Sequence, residues 1–142
     1  MSNKAAIQML VILHYIGFIY IALTGPLVPV HPTLLTMELG GFALFFWAVA
    51  KLREHTFRVS TDISLVTSGP YGLIRHPMYT GLLLIVFSLL LHEGSLDRWL
   101  IGIAMLVSTL VMVNLEESML RRSTKKYKTY MKKTFRLIPY LY

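Results

Sequence analysis

The chain has 142 residues, one domain's worth, with 55% hydrophobic and only 15% charged residues and a mean hydropathy of +0.59. A soluble globule carries nearer ~25% charge, so an ordinary water-soluble fold and intrinsic disorder are both excluded. Cysteine is absent, which removes disulfide scaffolds, thiolate metal sites and Cys nucleophiles. The net charge of +7 comes from Lys and Arg that flank apolar runs, the pattern of an integral membrane protein rather than a nucleic-acid binder.

The first apolar run, Ala5–Thr24, has the length that crosses a bilayer as a helix, and it stops at Gly25, Pro26 and Pro29. Lys4 ahead of it fits a retained span better than a cleaved leader, since no small-x-small exit follows. His31-Pro32-Thr33 reads as a short loop with Thr33 as a helix cap. Leu34–Ala50 is the second expected span. Lys51–Ser68 is polar and belongs outside the hydrocarbon. Met78–Leu91 is apolar but short, so the third span is expected to take in Tyr71–Pro77 as well. His92–Asp97 is a turn, Trp99–Leu115 the fourth span, and Glu116–Lys133 a charged, helix-favouring segment before the tail Thr134–Tyr142. The expectation is therefore an all-α, single-domain membrane bundle of about four helices (5–24, 34–50, 71–91 and 99–115), with a cytoplasmic C-terminal helix.

Four spans put both termini and the second loop on one side. That side then carries Lys4, Lys51, Arg53, Arg58, Arg75 and the whole C-terminal set, which is every basic residue except Arg98. The positive-inside rule makes it the cytoplasm.

Two polar clusters lie at this edge. The first is Gly69-Pro70-Tyr71-Gly72-Leu73-Ile74-Arg75-His76-Pro77-Met78-Tyr79-Thr80-Gly81. Pro77 suits the first turn of a helix with His76 at the cap, and the free N–H groups there, beside Arg75, favour a carboxylate or phosphate. The second is Asn114-Leu115-Glu116-Glu117 at the end of the fourth span. Adjacent carboxylates near a helix C-terminus need a cationic partner or water. Glu117 is expected to pair with Arg121 one turn on, and Glu116, facing the bundle, to meet a cationic ligand. His14, Gln8, Tyr15 and Glu38 are further intramembrane polar groups, read first as helix–helix hydrogen-bonding residues. No His, Asp or Glu cluster has metal-ligand spacing, and no aromatic platform with interleaved basic residues points to nucleic acid. The Lys and Arg after Glu117 read as a face turned to water or lipid headgroups.

These clusters, in this order, resemble those of the isoprenylcysteine carboxyl methyltransferase and phospholipid methyltransferase superfamily. Gly69–Gly81 fits its Gly-Pro-Tyr-x-x-x-Arg-His-Pro-x-Tyr-x-Gly pattern. Glu116-Glu117-x-x-Leu120, Tyr127-x-x-Tyr130 and Thr134-x-Arg136-Leu137-Ile138-Pro139 fit its second half. The family's Phe-Gly is replaced here by Ser123-Thr124, with a shortened spacing. The resemblance spans Ser64–Pro139 and places the cofactor motifs at 64–81 and 114–139. It implies an S-adenosylmethionine-dependent membrane methyltransferase with a cofactor pocket at the cytoplasmic face. The cofactor-binding positions it implies are Gly69, Tyr71, Leu73, Arg75, His76, Tyr79, Gly81, Glu116 and Glu117, with Arg75, His76 and Glu116 closest to the chemistry. A lipophilic or small acceptor (carboxylate, amine or thiol) then approaches through the bilayer, among membrane lipids. One competing reading is an NADPH-dependent reductase of the steroid and sterol type, which shares an Arg-His-Pro-x-Tyr-x-Gly stretch. Such reductases have an acidic residue where Leu82 stands and lack the Glu-Glu motif. The other is a non-enzymatic membrane assembly protein.

Overall fold

The computed structural model describes residues 3–57 and 65–140; Arg58 and Ser64, used in the charge count and as the start of the motif region, lie outside the described residues. The described chain is all-helical. Helix α1 spans Asn3–Leu23, α2 Pro32–Phe57, α3 Pro77–His92, α4 Leu96–Ser123 and α5 Lys126–Met131, with a 3-10 turn at Gly69–Gly72. Helices α1, α2 and α4 are long and apolar enough to cross a membrane, and α3 is a shorter apolar helix.

The third element differs from its expected extent. Residues 71–76 form the end of the 3-10 turn and a connecting loop, and the helix starts only at Pro77 with His76 as its cap. Proline fixes this start, since its ring disfavours a helical residue before it. At 1.5 Å per residue α3 is about 24 Å long, short of a hydrocarbon core of roughly 30 Å. Helix α4 runs past the expected Leu115 to Ser123, and is about 42 Å long on the same rise. Glu116 and Glu117 therefore lie inside a helix rather than at its end, and the dipole argument for their cations, which holds only for the last turn, does not apply. The expected C-terminal helix over 116–133 is broken at Thr124, whose carbonyl and hydroxyl accept the N–H groups of Tyr127 and Lys126. Pro32 opens α2, so Thr33 lies in its first turn and is not the cap.

The helices pack as two antiparallel pairs, α2 with α3 and α1 with α4, joined through α3–α4 and α1–α3 contacts. Ile21, Ile85, Val86, Leu89, Leu90 and Met105 form the central core. Exposed Met9, Ile12, Leu13, Ile16, Ile19 and Leu23 give α1 an apolar outer face, as a helix solvated by lipid requires. His14 hydrogen-bonds Thr109 across the α1–α4 interface (Nε2 to Oγ1 2.9 Å), the helix-joining role expected of it. At the far end of the bundle Arg98 is fully buried and donates to the carbonyls of Ile21 and Glu93, which ties the ends of α1 and α3 to the start of α4.

Helices α2 and α3 approach each other closely at Gly41 and Gly81. A Cβ on Gly81 would stand 2.7 Å from the Gly41 carbonyl oxygen and 2.9 Å from the Phe45 nitrogen. Both are backbone atoms that cannot swing aside, so small residues let α2 and α3 touch here. Gly81→Val should therefore cost about 1–3 kcal/mol through overpacking. Thermal unfolding in detergent would show it as a lowered Tm; an unchanged Tm would mean that the helices do not cross at this point.

Candidate active site

The α2–α3 contact fixes where α3 begins, and the start of α3 is where the two sequence clusters meet. The segment after α5 runs beside the loop ahead of α3. Arg75 N–H donates to the Phe135 carbonyl (2.8 Å), His76 N–H to that of Arg136 (3.2 Å), and Phe135 N–H to that of Leu73 (2.9 Å). Thr80 Oγ1 donates to the Leu137 carbonyl at 2.8 Å. Backbone bonds thus hold the C-terminal segment against the Arg-His-Pro loop, while the side chains of both turn toward the end of α4.

Glu117 is the hub. Its side chain is 1% exposed, and it accepts from Arg75 Nε (2.8 Å), Arg121 (3.0 Å) and Arg136 (3.1 Å), with His76 Nε2 at 3.4 Å. The expected Glu117–Arg121 pair is present. The expected facing of the two carboxylates is reversed, however: Glu117 points into the protein and Glu116, 38% exposed, lies toward the rim. Glu116 follows the buried Met112 and Glu117 the buried Val113, each by four residues, so both stand next to the inward stripe; Glu117 is the one turned inward because Arg75, Arg121 and Arg136 converge on it. A carboxylate on that stripe is tolerated because basic groups from the loop, its own helix and the C-terminal segment surround it.

Arg75 has a second task. Its guanidinium also donates to the carbonyls of Met131 (3.2 Å) and Thr134, and so clamps the end of α5 and the segment after it onto the site. Its side chain is 10% exposed. His76 lies between the two glutamates, with Nδ1 3.4 Å from Glu116. Burial opposes the charged imidazolium, but hydrogen bonds to Glu116 and Glu117 and their charges outweigh it, so the His76 pKa is raised above its ordinary value. Burial, reinforced by the Glu116 charge, pushes the Tyr71 hydroxyl up to about 12, which keeps it a neutral hydrogen-bonding group.

Around these groups is a cavity of about 360 Å³, within the size range of small-molecule sites. Tyr71, Arg75, His76, Met78 and Tyr79 line it from the first cluster, and Glu116 and Leu120 from α4. Tyr127 and Tyr130 come from α5, and Leu52, Leu65 and Val66 from α2 and the following loop. The Tyr130 hydroxyl donates to the Tyr71 carbonyl at 2.7 Å and so closes one wall. A second cavity of similar volume lies deeper among the helices, lined by Phe18, Phe42, Phe45, Phe46 and Leu82 among others. It shares Met78 and Tyr79 with the first.

A family model for phospholipid methyltransferases matches residues 33–128, more than half of the chain. The chain belongs to the phospholipid methyltransferase family. That match makes it a membrane methyltransferase in general terms and contains both the Arg-His-Pro loop and the glutamate pair. No curated protein sequence matches the chain.

Of the positions singled out in this family member's sequence, Tyr71, Arg75, His76, Tyr79 and Glu116 reach the first cavity, and Glu117 lies directly behind its wall. Leu73 is exposed and contributes its carbonyl to the C-terminal segment. Gly81 is taken up by the α2 contact. Gly69, at φ 62°, makes the left-handed step into the 3-10 turn against the Lys51 side chain. These three shape the loop and the helix start without appearing in the cavity wall. Sequence reasoning missed the apolar wall and the inward role of the two tyrosines of Tyr127-x-x-Tyr130. Their three-residue spacing, which places both on one face of α5, was the available signal.

Proposed function

We propose that the protein is an S-adenosylmethionine-dependent methyltransferase whose cofactor occupies the cavity between the Arg-His-Pro loop, α4 and α5, at the cytoplasmic face of the membrane. The observation that carries this reading is the division between the two glutamates. Glu117 is saturated by basic side chains, whereas Glu116, on the cavity wall, is half-exposed and has a His76 contact at 3.4 Å. The residues fit a zwitterionic, sulfonium-bearing ligand. Glu116 offers an anion for the ammonium. The first turn of α3, where the N–H groups of Met78 and Tyr79 have no intrahelical acceptor, offers partial positive charge for the carboxylate, with His76 beside it. Tyr71, Tyr127 and Tyr130 supply aromatic surface for a purine, and Leu52, Leu65, Val66 and Leu120 supply apolar cover.

The cofactor, when bound, supplies an activated methyl group. The chain's own contribution is then to position the reactants and keep water out. Arg75 is a positioning residue: it holds Glu117 and the C-terminal segment in place. His76 lies between the two carboxylates, whose hydrogen bonds and charges favour its charged form and so offset negative charge beside the site. A carboxylate or thiolate acceptor needs no base, and an amine acceptor must give up a proton. The deeper cavity, apolar and sharing Tyr79 with the first, is suited to a lipophilic acceptor arriving from the bilayer. The test is incubation of the reconstituted protein with methyl-labelled S-adenosylmethionine and fractionated membrane lipid extracts. Label should pass into an organic-soluble product and be lost with Glu116→Gln. Label in no fraction would overturn the reading.

A further inference from the structure

Helix α5 and its flanks have two unlike faces. Tyr127, Tyr130 and Thr134 recur at three- and four-residue intervals and are buried, with the two tyrosines on the cavity wall. Arg122, Lys125, Lys126, Lys128, Lys132 and Lys133 are exposed on the opposite face, and no acidic residue occurs anywhere after Glu117. Cations at this density, with no interleaved anions, exceed what solubility of so short a segment asks for.

Their position points to what they meet. Helix α4 is about 42 Å long against a hydrocarbon thickness of roughly 30 Å, so its last turns extend beyond the apolar layer and deliver α5 at headgroup depth. Just after the lysines, Ile138 is 50% and Tyr140 86% exposed. An aromatic and an aliphatic side chain beside a basic stripe is the composition of a segment lying in a membrane interface.

We propose that this basic face docks on anionic lipid headgroups of the membrane that the protein spans, and that docking seats Tyr127 and Tyr130 over the cavity. The basic charge alone would describe orientation in the membrane. What the fold adds is that the docked element is itself the cavity wall, fixed to the rest by the Tyr130–Tyr71 bond and the Arg75 clamp on Met131 and Thr134. Anionic lipid then stabilises α5 in the position that forms this wall, and a ligand that needs the wall binds more tightly in an anionic membrane, since it binds better to the state the lipid stabilises. The second half of the proposal rests on the cofactor reading above; the first does not.

The test separates the two. The chain has no cysteine, so Thr129→Cys, at an exposed position on α5, takes a single environment-sensitive dye. The labelled full-length protein is placed in nanodiscs of phosphatidylcholine alone or with about one-third phosphatidylglycerol, near the charge of natural anionic leaflets. In the anionic discs the dye emission should shift to the blue. The shift should be reversed by salt, as screening of a surface charge contact requires. It should not be reproduced by free inorganic phosphate in phosphatidylcholine discs, and it should vanish when Lys125, Lys126, Lys128, Lys132 and Lys133 are all replaced by Gln. The same emission in both discs, or a shift that survives the five replacements, would overturn docking. In parallel, S-adenosylhomocysteine should bind at least several-fold more tightly in the anionic discs, with the difference abolished by the five replacements. Binding of equal strength in both discs would overturn the coupling. A dye shift with no homocysteine-cofactor binding in either disc would leave docking standing and would refute the cofactor reading and the coupling built on it.

Discussion

Glu117→Ala should be the most destabilising single substitution at the site. The change strips the shared counter-ion from Arg75 and Arg136, whose side chains are 10% and 15% exposed, and from His76. Removing one partner of a buried ion pair costs about 3–5 kcal/mol, because the remaining charge stays desolvated. The loss should spread further, since Arg75 also clamps the end of α5 and the segment after it. Glu117→Gln, which keeps the shape and some acceptor capacity, should lose less. Thermal unfolding of the purified variants in detergent orders them. A Glu117→Ala variant within about 1 kcal/mol of the parent would place this carboxylate in a solvated setting, where ion pairs are worth that little, and would contradict its role as hub.

Glu116→Gln should do the opposite: little loss of stability and a large loss of ligand. Glu116 is on the exposed side of the pair, so the fold does not depend on its charge in the way it depends on Glu117. A charge-assisted bond to a ligand ammonium is worth roughly 1.5–3 kcal/mol, which is about ten- to a hundred-fold in affinity. Isothermal titration with S-adenosylhomocysteine, which retains the ammonium, should show that drop with an unchanged Tm. Unchanged affinity would make Glu116 a rim residue without a part in binding.

The sequence carried the placement of the elements well where a single strong signal acted. Pro77 marked the start of α3 and His76 its cap, and the apolar lengths marked α1, α2 and α4. Bilayer thickness alone predicts a longer α3 than the chain forms. The residues 71–76 instead take up the 3-10 turn and the bonds to the C-terminal segment. The Glu117–Arg121 pair was legible because it is local, four residues along one helix. The pairs with Arg75 and Arg136, 42 and 19 residues away, were not, because nothing in local periodicity encodes which loop folds back onto a helix end. The same limit explains the reversed facing of the glutamates. Both follow buried residues by one turn, and only the position of the arginines decides which carboxylate turns inward. The apolar wall was illegible for a related reason: Leu52 and Leu120 look like ordinary helix residues until the loop and α5 are packed beside them.

The two sequence clusters meet at one cavity, which we propose binds S-adenosylmethionine. The most direct test is the unfolding temperature of the purified protein with either S-adenosylhomocysteine or NADPH, since a ligand that binds only the folded state stabilises it by about 2.7 kcal/mol at one hundred times its Kd. If the cavity binds S-adenosylmethionine, Tm rises with the concentration of S-adenosylhomocysteine, less so in Glu116→Gln, and does not rise with NADPH. A rise with NADPH alone, or with neither ligand, would contradict that binding.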